Sequence, residues 1–419
     1  MKRLLFAVLI VLALAPAAQG TEPATQIRFA TFNASLNRSS AGQLVDHLSH
    51  PLVDDVFRRQ IRNVAEVIQR AHPDVLLINE FDYEPAAVDL FRQNFLEVSQ
   101  NGAAPIHYPF AYVAPSNTGI PSGMDFSNDG VIGGPNDAFG FGFFPGQFGM
   151  VVYSRYPIET DAVRTFQLFR WKDMPGALLP DDPRTPEPAD WYSPAELNIF
   201  RLSSKSHWDV PIDVGNKTIH FLVSHPTPPV FDDPPQFPPG VDFNGRRNHD
   251  EIRFWADYIS PGHRARYIYD DAGNRGGLRP GAPFVIAGDQ NSDPLDGDSI
   301  PGSTQQLLEH PLVNAGHTPE SLGAPEAAIL QGGANTTHRS DPRFDTADFS
   351  DVAPGNLRAD YVLPRKSLRI VDSAVFWPVQ ANPLFRLTGV FNFAEWGPVG
   401  GFPTSDHRLT WTQVRVQGH

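Results

Sequence analysis

Eight polar side chains that can hold a metal ion or move a proton lie at or beside the ends of short apolar runs. They comprise two Asn, one Glu, three Asp and two His: Asn33, Glu80, His225, Asp289, Asn291, Asp360, Asp406 and His407. Carboxylate and amide oxygens bind hard cations, and a His beside a carboxylate exchanges protons near neutral pH. Folding alone does not account for such a set. We therefore predict that these side chains form one catalytic site.

Oxygen ligands dominate the predicted metal site. Glu80 and Asp406, together with the amide oxygen of Asn33, suit Mg²⁺, Mn²⁺ or Ca²⁺, of which we favour Mg²⁺. A Zn²⁺ cage is disfavoured because this set contains no pair of His at short ligand spacing. The chain also contains no Cys. Thiolate metal sites and Cys nucleophiles are therefore excluded.

The other members of the set are suited to proton transfer and to binding a phosphoryl group. His407 needs a carboxylate that fixes its tautomer and raises its basicity, and Asp360 is the natural candidate. Asp289 and Asn291 lie two residues apart on an extended turn and can point together into the site. We expect Asp289 to handle a proton and Asn291 to donate to a phosphoryl oxygen.

A further polar cluster precedes the apolar run near Val210. In it Lys205 and His207 alternate, so in an extended chain they would share one face. Two interpretations remain open for this pair. Either both side chains contact the phosphate or head group of a substrate, or they form an exposed polar edge.

Apolar periodicity predicts the elements that position these residues. Helical spacing covers residues 56–71 and 250–259, whereas buried strands are predicted over residues 27–32, 75–78, 150–153, 219–223, 284–287, 361–363 and 409–416. Strands with interspersed helices indicate an α/β protein. Asn33 and Glu80 are expected just beyond the first two strands. Ligand sites in helix-covered sheets gather at one end of the strands, which predicts that the polar residues meet there.

No repeat or linker divides the chain, so we expect residues 21–419 to form one domain with long loop insertions. Residues 119–147 are Gly-rich, residues 173–190 are rich in Pro and Asp, and residues 226–240 contain a dense Pro cluster. Loops of this length are functional rims or solvent-facing insertions. The sequence does not distinguish these two roles.

Six short segments, in order along the chain, resemble the motifs of the endonuclease/exonuclease/phosphatase superfamily. They are Thr31-Phe32-Asn33, Leu77-Ile78-Asn79-Glu80, Ser154-Arg155-Tyr156-Pro157-Ile158, Gly288-Asp289-Gln290-Asn291, Arg358-Ala359-Asp360-Tyr361-Val362-Leu363 and Ser405-Asp406-His407. That superfamily includes deoxyribonucleases, inositol-polyphosphate phosphatases and sphingomyelinases. Each motif is weak alone, but their shared order from Ile27 to the C-terminus makes chance a poor explanation.

The resemblance implies a four-layer α/β/β/α sandwich with the site at one edge of two mixed or mainly antiparallel sheets. It also implies that Glu80 is the principal metal ligand, with Asn33 and Asp406 near the metal or the phosphate. In the same way, His225 would contact the phosphate or act as an acid. The remaining pair, His407 and Asp360, would activate or orient the attacking water. Some members have an Asp two residues after the Asn33 position; here that residue is Ser35, which puts a second metal contact on this strand in doubt.

The N-terminus predicts export. Lys2 and Arg3 precede an apolar run and small residues, which is typical of a signal peptide over residues 1–20, with cleavage after Ala17 or Gly20. We therefore expect a periplasmic or extracellular protein without stable membrane insertion. The sequence indicates no obligate protein partner.

Charge bears on the substrate. The formal net charge is −14, and an acidic surface repels nucleic-acid backbones at long range. We therefore favour a phosphatase or phosphodiesterase acting on small phosphate esters or lipid head groups. An extracellular nuclease is the alternative with the same chemistry. A catalytically silent binding module is the alternative from another class, and the complete set of catalytic residue types argues against it.

Overall fold

Two β-sheets pack face to face between layers of helices. The computed structural model describes residues 25–215, 217–234 and 236–416, so the predicted signal peptide lies outside the described residues. The strands are β1 (Thr25–Leu36), β2 (Val75–Phe81), β3 (Phe110–Tyr112), β4 (Met150–Ser154), β5 (Arg164–Thr165), β6 (His207–Asp213), β7 (Thr218–Ser224), β8 (Phe284–Asp289), β9 (Ala347–Asp348), β10 (Asn356–Leu357), β11 (Asp360–Pro364), β12 (Arg369–Val375) and β13 (Thr410–Val416). The α-helices are α1 (Gln43–Ser49), α2 (Val56–Ala71), α3 (Pro85–Phe91), α4 (Pro194–Leu197), α5 (Phe243–Ile259), α6 (Gln305–Leu308), α7 (Gly323–Gln331) and α8 (Phe393–Trp396).

Both large sheets are mixed. In the described residues, one has six strands in the order β12-β13-β1-β2-β4-β3, and the other has five in the order β11-β8-β7-β6-β5. Strands β1 and β2 run parallel, as do β7 and β8, while the other pairs within these sheets are antiparallel. Because β1 and β2 are parallel, their carboxyl ends lie at the same edge of the first sheet. The carboxyl ends of β7 and β8 lie together at one edge of the second sheet for the same reason. Strands β9 and β10 form a separate antiparallel pair.

The inner faces of the two sheets share one apolar core. Phe29 on β1 meets Phe221 on β7 with ring centroids 5.4 Å apart. Val75 and Leu77 from the first sheet and Val285 from the second are fully buried in the same cluster. Burying apolar side chains contributes about 25 cal/mol per Å². This interface therefore fixes the position of one sheet edge relative to the other.

Helices cover the outer faces. The apolar stripe of α2, which includes Ile61 and Ile68, packs on the outer side of β1 and β2. On the other sheet, Ile252 and Trp255 of α5 pack against Leu222 of β7. The predicted four-layer α/β/β/α sandwich is confirmed.

The predicted helices and strands are all present, but some of their bounds differ, and several short elements, including α1, α3, β3 and β5, were not predicted. Helix α2 has the predicted bounds, but α5 begins at Phe243 rather than at residue 250, because Asp242 caps it by accepting a hydrogen bond from Gly245 N at 3.1 Å. Asn33 and Glu80 lie within β1 and β2 rather than beyond them. Strand β12 was not predicted either, because most of its residues are exposed or half-buried and Asp372 and Ser373 interrupt its apolar residues.

Candidate active site

The amide of Asn33 joins the two sheets at the edge where the polar residues meet. Asn33 of β1 is buried, and its Nδ2 donates to Glu80 Oε1 of β2 and to Asp289 Oδ2 of β8, both at 3.1 Å. Its Oδ1 accepts a hydrogen bond from the backbone of Ser35. Asn33 thus holds the Glu80 carboxylate of one sheet close to the Asp289 carboxylate of the other. It is the only predicted site residue in the described chain that bonds to both of these carboxylates.

Asp289 lies at the centre of the site. Besides Asn33, its Oδ2 faces two imidazoles: His225 Nε2 lies 3.3 Å away and His407 Nε2 lies 3.5 Å away. Burial alone would raise the pKa of Asp289. The positive charge of His407 and the hydrogen bonds from His225 and Asn33 outweigh burial and lower that pKa. Asp289 is therefore held as an anion between the two rings.

The predicted pairing of His407 with Asp360 is confirmed. His407 Nδ1 donates to Asp360 Oδ2 at 2.8 Å, and both residues are buried. Thr346 Oγ1 donates to the same carboxylate oxygen at 2.9 Å and accepts hydrogen bonds from the backbone of Ala359 and Asp360. Burial lowers the pKa of His407, but Asp289 and Asp360 together raise it well above its usual value. The ring is thus fixed in orientation, with Nε2 directed towards Asp289.

Two further carboxylates repel each other across the edge of the first sheet. Burial and the charge of Asp406 raise the pKa of Glu80 to about 7. Glu80 also has a positive φ of 56°, a region that a non-glycine residue occupies at a cost of about 1–3 kcal/mol. Ser405 Oγ donates to Asp406 Oδ1 at 3.2 Å and lies 3.0 Å from Ser35 Oγ. No described cation forms an ion pair with Glu80 or Asp406, so a bound cation would relieve their repulsion.

Two groups of side chains therefore have the chemistry of a metal site. Glu80, Asp406 and the amide oxygen of Asn33 form an all-oxygen set of the kind that hard cations prefer. The second group comprises Asp289, Asp360 and His407, whose ligand atoms lie within 4.8 Å of one another. The second group is already neutralised internally by the charge of His407, whereas no described cation forms an ion pair with either carboxylate of the first. The first is accordingly the better fit for a hard divalent cation.

His225 and Asn291 flank Asp289 in different ways. Burial, and then the charge of Lys205, lower the pKa of His225 to about 4, and its buried Nδ1 has no partner. The backbone of Asn291 donates to Asp289 Oδ1 at 2.8 Å, and its amide Nδ2 donates to the carbonyl of Pro226 at 3.1 Å. A neutral His225 is therefore available as a hydrogen-bonding group rather than as an acid. Asn291 retains one amide hydrogen for a further acceptor.

Lys205 is buried close to the same carboxylates. Burial lowers the pKa of its ammonium, while Glu251, Glu80 and Asp289 act in the opposite direction. No described side chain or carbonyl accepts a hydrogen bond from its Nζ. The predicted alternative of an exposed polar edge is wrong for Lys205, which is only 7% exposed.

His207 does not share the position of Lys205, and the predicted substrate contact is wrong for this residue. Ser203 Oγ donates to its Nδ1, and its Nε2 donates to the backbone carbonyl of Glu251 at 2.9 Å. The ring packs against Phe254 and Trp255, and burial lowers its pKa to about 4. Both nitrogens are thus used within the core. The alternation of side chains holds inside β6, but Lys205 precedes this strand.

Sequence analysis missed Glu251, a buried carboxylate that joins two segments of the site. Its Oε1 accepts hydrogen bonds from Ser204 N at 2.7 Å and Ser204 Oγ at 3.1 Å, and its Oε2 accepts from Thr227 N at 2.7 Å. One segment precedes Lys205 and the other follows His225. Asn248, Glu251 and Trp255 recur at helical spacing on the buried side of α5. A polar residue at a buried position of this helix was the sequence signal that could have identified Glu251.

Comparison with known protein families assigns the chain to one of them. Residues 30–407 match the model of the Endonuclease/Exonuclease/phosphatase family. The chain therefore belongs to this family, whose members share a phosphoesterase and nuclease fold and are generally metal-dependent hydrolases. Among curated proteins, none matches the chain.

Several solved structures resemble the chain at low identity. An endonuclease/exonuclease/phosphatase from Beutenbergia cavernae is 17% identical, with a TM-score of 0.46 over 94% of this chain and 72% of that one. A family protein from Leptotrichia buccalis is 12% identical, with a TM-score of 0.43 over 93% and 99% of the two chains. Truncated TDP2 from Caenorhabditis elegans is 13% identical, with a TM-score of 0.41 over 93% and 98%.

Proposed function

We propose that this protein is a secreted, divalent-metal-dependent phosphoesterase that hydrolyses phosphate mono- or diesters. The observation that supports this proposal is the position of Asp289. Its carboxylate lies between the His407–Asp360 pair and His225, and Asn33 links it to Glu80. This arrangement combines a base, a phosphate-binding region and a set of cation ligands within one buried cluster.

Water attack in this proposal depends on His407. The step requires the neutral form of the ring: the water oxygen forms a bond to phosphorus, the bond from phosphorus to the ester oxygen breaks, and His407 Nε2 takes the proton of the water and passes it to the leaving oxygen. Asp360 holds the ring and stabilises the imidazolium that forms. Asp289, which lies 3.5 Å from Nε2, favours the same cation. Because these two carboxylates raise the pKa of His407, the neutral ring that accepts the proton becomes more populated as the pH rises.

Glu80, Asp406 and Asn33 would hold the divalent cation. We favour Mg²⁺, with Mn²⁺ or Ca²⁺ as alternatives, because the ligand atoms are all oxygens. When bound, the cation supplies positive charge that polarises the phosphoryl group. The raised pKa of Glu80 means that a proton must leave this carboxyl before a cation binds near neutral pH.

Lys205, His225 and Asn291 would bind the phosphoryl group. The Lys205 ammonium has no hydrogen-bond acceptor among the described residues, and a phosphate oxygen would provide one. Asn291 has one amide hydrogen free, so it adds a directed hydrogen bond without adding charge. His225 is neutral, and it can do the same only by turning its single N–H from Asp289 to the phosphate. Hydrogen bonds that involve a charged group are roughly twice as strong as neutral ones. Lys205 is accordingly expected to contribute most to binding.

Charge supports a substrate with one or two phosphate groups. The chain has 33 basic and 47 acidic side chains, and a protein that grips a long nucleic-acid backbone neutralises several phosphates with Lys and Arg. We therefore favour a small phosphate ester or a lipid head group over nucleic acid. No helix in the described part of the chain is long and apolar enough to cross a membrane.

Activity with and without a chelator tests the proposal. Purified protein is compared on a phosphomonoester, a phosphodiester, sphingomyelin, RNA and duplex DNA, at low and at physiological salt. We expect EDTA to abolish turnover and Mg²⁺ to restore it, with a small ester preferred and little effect of salt. Glu80→Gln should abolish most activity, whereas Glu187→Gln, in an exposed loop, should not. Full activity in EDTA would contradict the metal dependence. Rapid, salt-sensitive cleavage of DNA without turnover of small esters would establish the nuclease instead.

A further inference from the structure

Two exposed aromatic rings pack against each other in the Gly-rich loop that precedes β4. Phe141 and Phe143 are 51% and 68% exposed, and their ring centroids lie 5.6 Å apart with an angle of 82° between the planes. By contrast, Phe139 is buried, and the guanidinium of Arg201 lies 3.9 Å from its ring centroid. Phe139 therefore anchors the loop, whereas Phe141 and Phe143 leave much of their apolar surface in water.

The first end of this loop lies against the segment that contains Lys205. Gly140 N donates to Asn117 O at 3.1 Å, and Asn117 N donates to Lys205 O at 2.8 Å. The backbone of Gly140 is also so close to Ser204 that a β-carbon added to it would lie 1.8 Å from the Ser204 carbonyl oxygen. Only glycine fits this approach. The position of Phe141, the next residue, is therefore fixed relative to the backbone of Lys205.

The second end of the loop is bonded to the chain just after Glu80. Gly149 O accepts a hydrogen bond from Phe81 N at 3.0 Å, and Gly146 O accepts one from Tyr83 N at 2.7 Å. Phe81 is the last residue of β2 and follows Glu80 directly. The loop therefore spans from the predicted phosphate-binding side of the site to the predicted metal-binding side.

A buried glutamine holds the tip of the loop. Gln147 Oε1 accepts a hydrogen bond from Phe143 N at 2.8 Å, and its Nε2 donates to the backbone carbonyl of Arg38 at 2.7 Å. The backbone of the tip is thus fixed although both rings are exposed. Adjacent apolar side chains held in water beside a site are typical of ligand-binding surfaces. These contacts favour a functional rim over a solvent-facing insertion, the two roles that the sequence left open.

We propose that Phe141 and Phe143 contact the apolar part of the substrate, so that the preferred substrate is a phosphate ester with a long alkyl or acyl chain. This inference rests on the proposed function, because Lys205 and Glu80 define where the phosphoryl group would lie. A phosphoryl group between those two residues is close to both ends of the loop. Its ester group can therefore extend along the loop to the two rings.

The angle between the rings favours a flexible chain over a nucleobase. Nucleobases bind by stacking on an aromatic face, and a planar base can lie parallel to only one of two rings that are 82° apart. A flexible chain can contact both rings at once. The excess of acidic side chains, 47 against 33 basic ones, also disfavours a polynucleotide. The two rings therefore select the chain of a lipid-like ester.

Binding of alkylphosphonates measures this contact independently of turnover, because water attack does not break their bond from phosphorus to carbon. Isothermal titration calorimetry of the full chain in Mg²⁺ compares alkyl groups of increasing length, as free phosphonates and as methyl esters, below the concentrations at which they aggregate. We expect Kd to fall about two- to fourfold for each added methylene, where the upper value corresponds to full burial. A Kd that does not change with chain length would overturn the proposal.

Paired substitutions test the two rings directly. Phe141→Ala with Phe143→Ala should remove the dependence of Kd on chain length, whereas Phe141→Leu with Phe143→Leu should retain most of it, because Leu is also apolar. The control is Phe393→Ala, which removes a ring of similar exposure from α8 and should keep the wild-type dependence. Thermal unfolding checks that each variant is folded. An unchanged dependence in the double Ala variant would contradict the proposal.

Two further measurements separate this proposal from its alternatives. Tighter binding of adenosine 5′-phosphonate than of octylphosphonate, weakened in the double Leu variant, would identify a nucleobase platform and overturn the contact with a chain. Turnover of the corresponding alkyl phosphate esters is measured in parallel. Hydrolysis without any effect of chain length on Kd would refute only the contact with the rings. Chain-dependent binding without hydrolysis of any ester would support that contact and refute the proposed phosphoesterase activity.

Discussion

Asp289 and Asp360 are paired positions on antiparallel strands, and their carboxylates face opposite sides of one imidazole. They are register partners across β8 and β11, and the His407 ring lies between Asp360 Oδ2 at 2.8 Å and Asp289 Oδ2 at 3.5 Å. The hydrogen-bond ladder of the sheet thus sets the separation of the two acids. The chemistry of His407 depends on that backbone pairing as much as on the side chains.

Asp360→Asn should reduce kcat by roughly 10²–10⁴-fold while KM changes little. The amide keeps the shape of the carboxylate but removes the charge that orients His407 and stabilises its cation. Steady-state kinetics on the best substrate measure the effect. Asp372→Asn, at an exposed position of β12, is the control and should match the wild type. A kcat within threefold of the wild type would rule out the proposed role of the pair.

Lys205→Ala should raise KM about tenfold or more and lower kcat by less. A hydrogen bond to a charged group contributes about 1.5–3 kcal/mol, and a residue that binds the ground state and the transition state alike changes KM. Lys366→Ala, which removes an exposed Lys, controls for net charge. If kcat falls and KM stays constant, Lys205 acts only in the transition state.

Glu251→Gln should lower kcat/KM by about 10–100-fold, because the two segments that Glu251 joins would shift. Small displacements of groups that contact substrate cost about 10²-fold, and Gln can accept from Ser204 or from Thr227 but not equally from both. A double-mutant cycle with Lys205→Ala measures the coupling. We expect the double variant to be less impaired than the product of the single effects. Strict additivity would show that Glu251 does not act through Lys205. The control is Glu309→Gln, at an exposed position, which should leave kcat/KM unchanged.

His207 should make the fold sensitive to acid. Burial lowers its pKa in the folded state to about 4, below the value of about 6.5 expected when unfolded. The unfolded state therefore binds the proton first, and the stability that is present above pH 6.5 is lost as the pH falls towards 4. The maximum loss from this residue is about 3 kcal/mol. Urea unfolding at pH 7.5 and 4.5 should show a smaller difference for His207→Asn than for the wild type.

Apolar periodicity predicted the strands of both sheets well because most of them are buried on both faces. Strands β2 (Val75–Phe81) and β8 (Phe284–Asp289) are of this kind. Strand β12 was missed because its residues are mostly exposed or half-buried, so its place in the sheet depends on pairing with β13 and not on a hydrophobic pattern of its own.

The candidate site was predicted from residue types at strand ends, but its internal contacts were not. The pairing of His407 with Asp360 follows from the need of an imidazole for a carboxylate. By contrast, the bond from Asn33 to Asp289 crosses from one sheet to the other, and no local pattern encodes that distance. Glu251 was overlooked for a similar reason, since its partners lie on two loops that only tertiary packing brings to α5.

The bridge made by Asn33 also has a consequence for how activity arises during folding. Its two acceptors lie 47 and 256 residues away in sequence, so the bridge closes only when both sheets have formed and packed. Closing loops of this length costs entropy that the shared core must offset. A nascent or proteolytically nicked chain can therefore contain ordered strands and still lack hydrolytic competence. Enzyme activity would thus report on completed assembly of the sandwich, later than any spectroscopic signal of secondary structure.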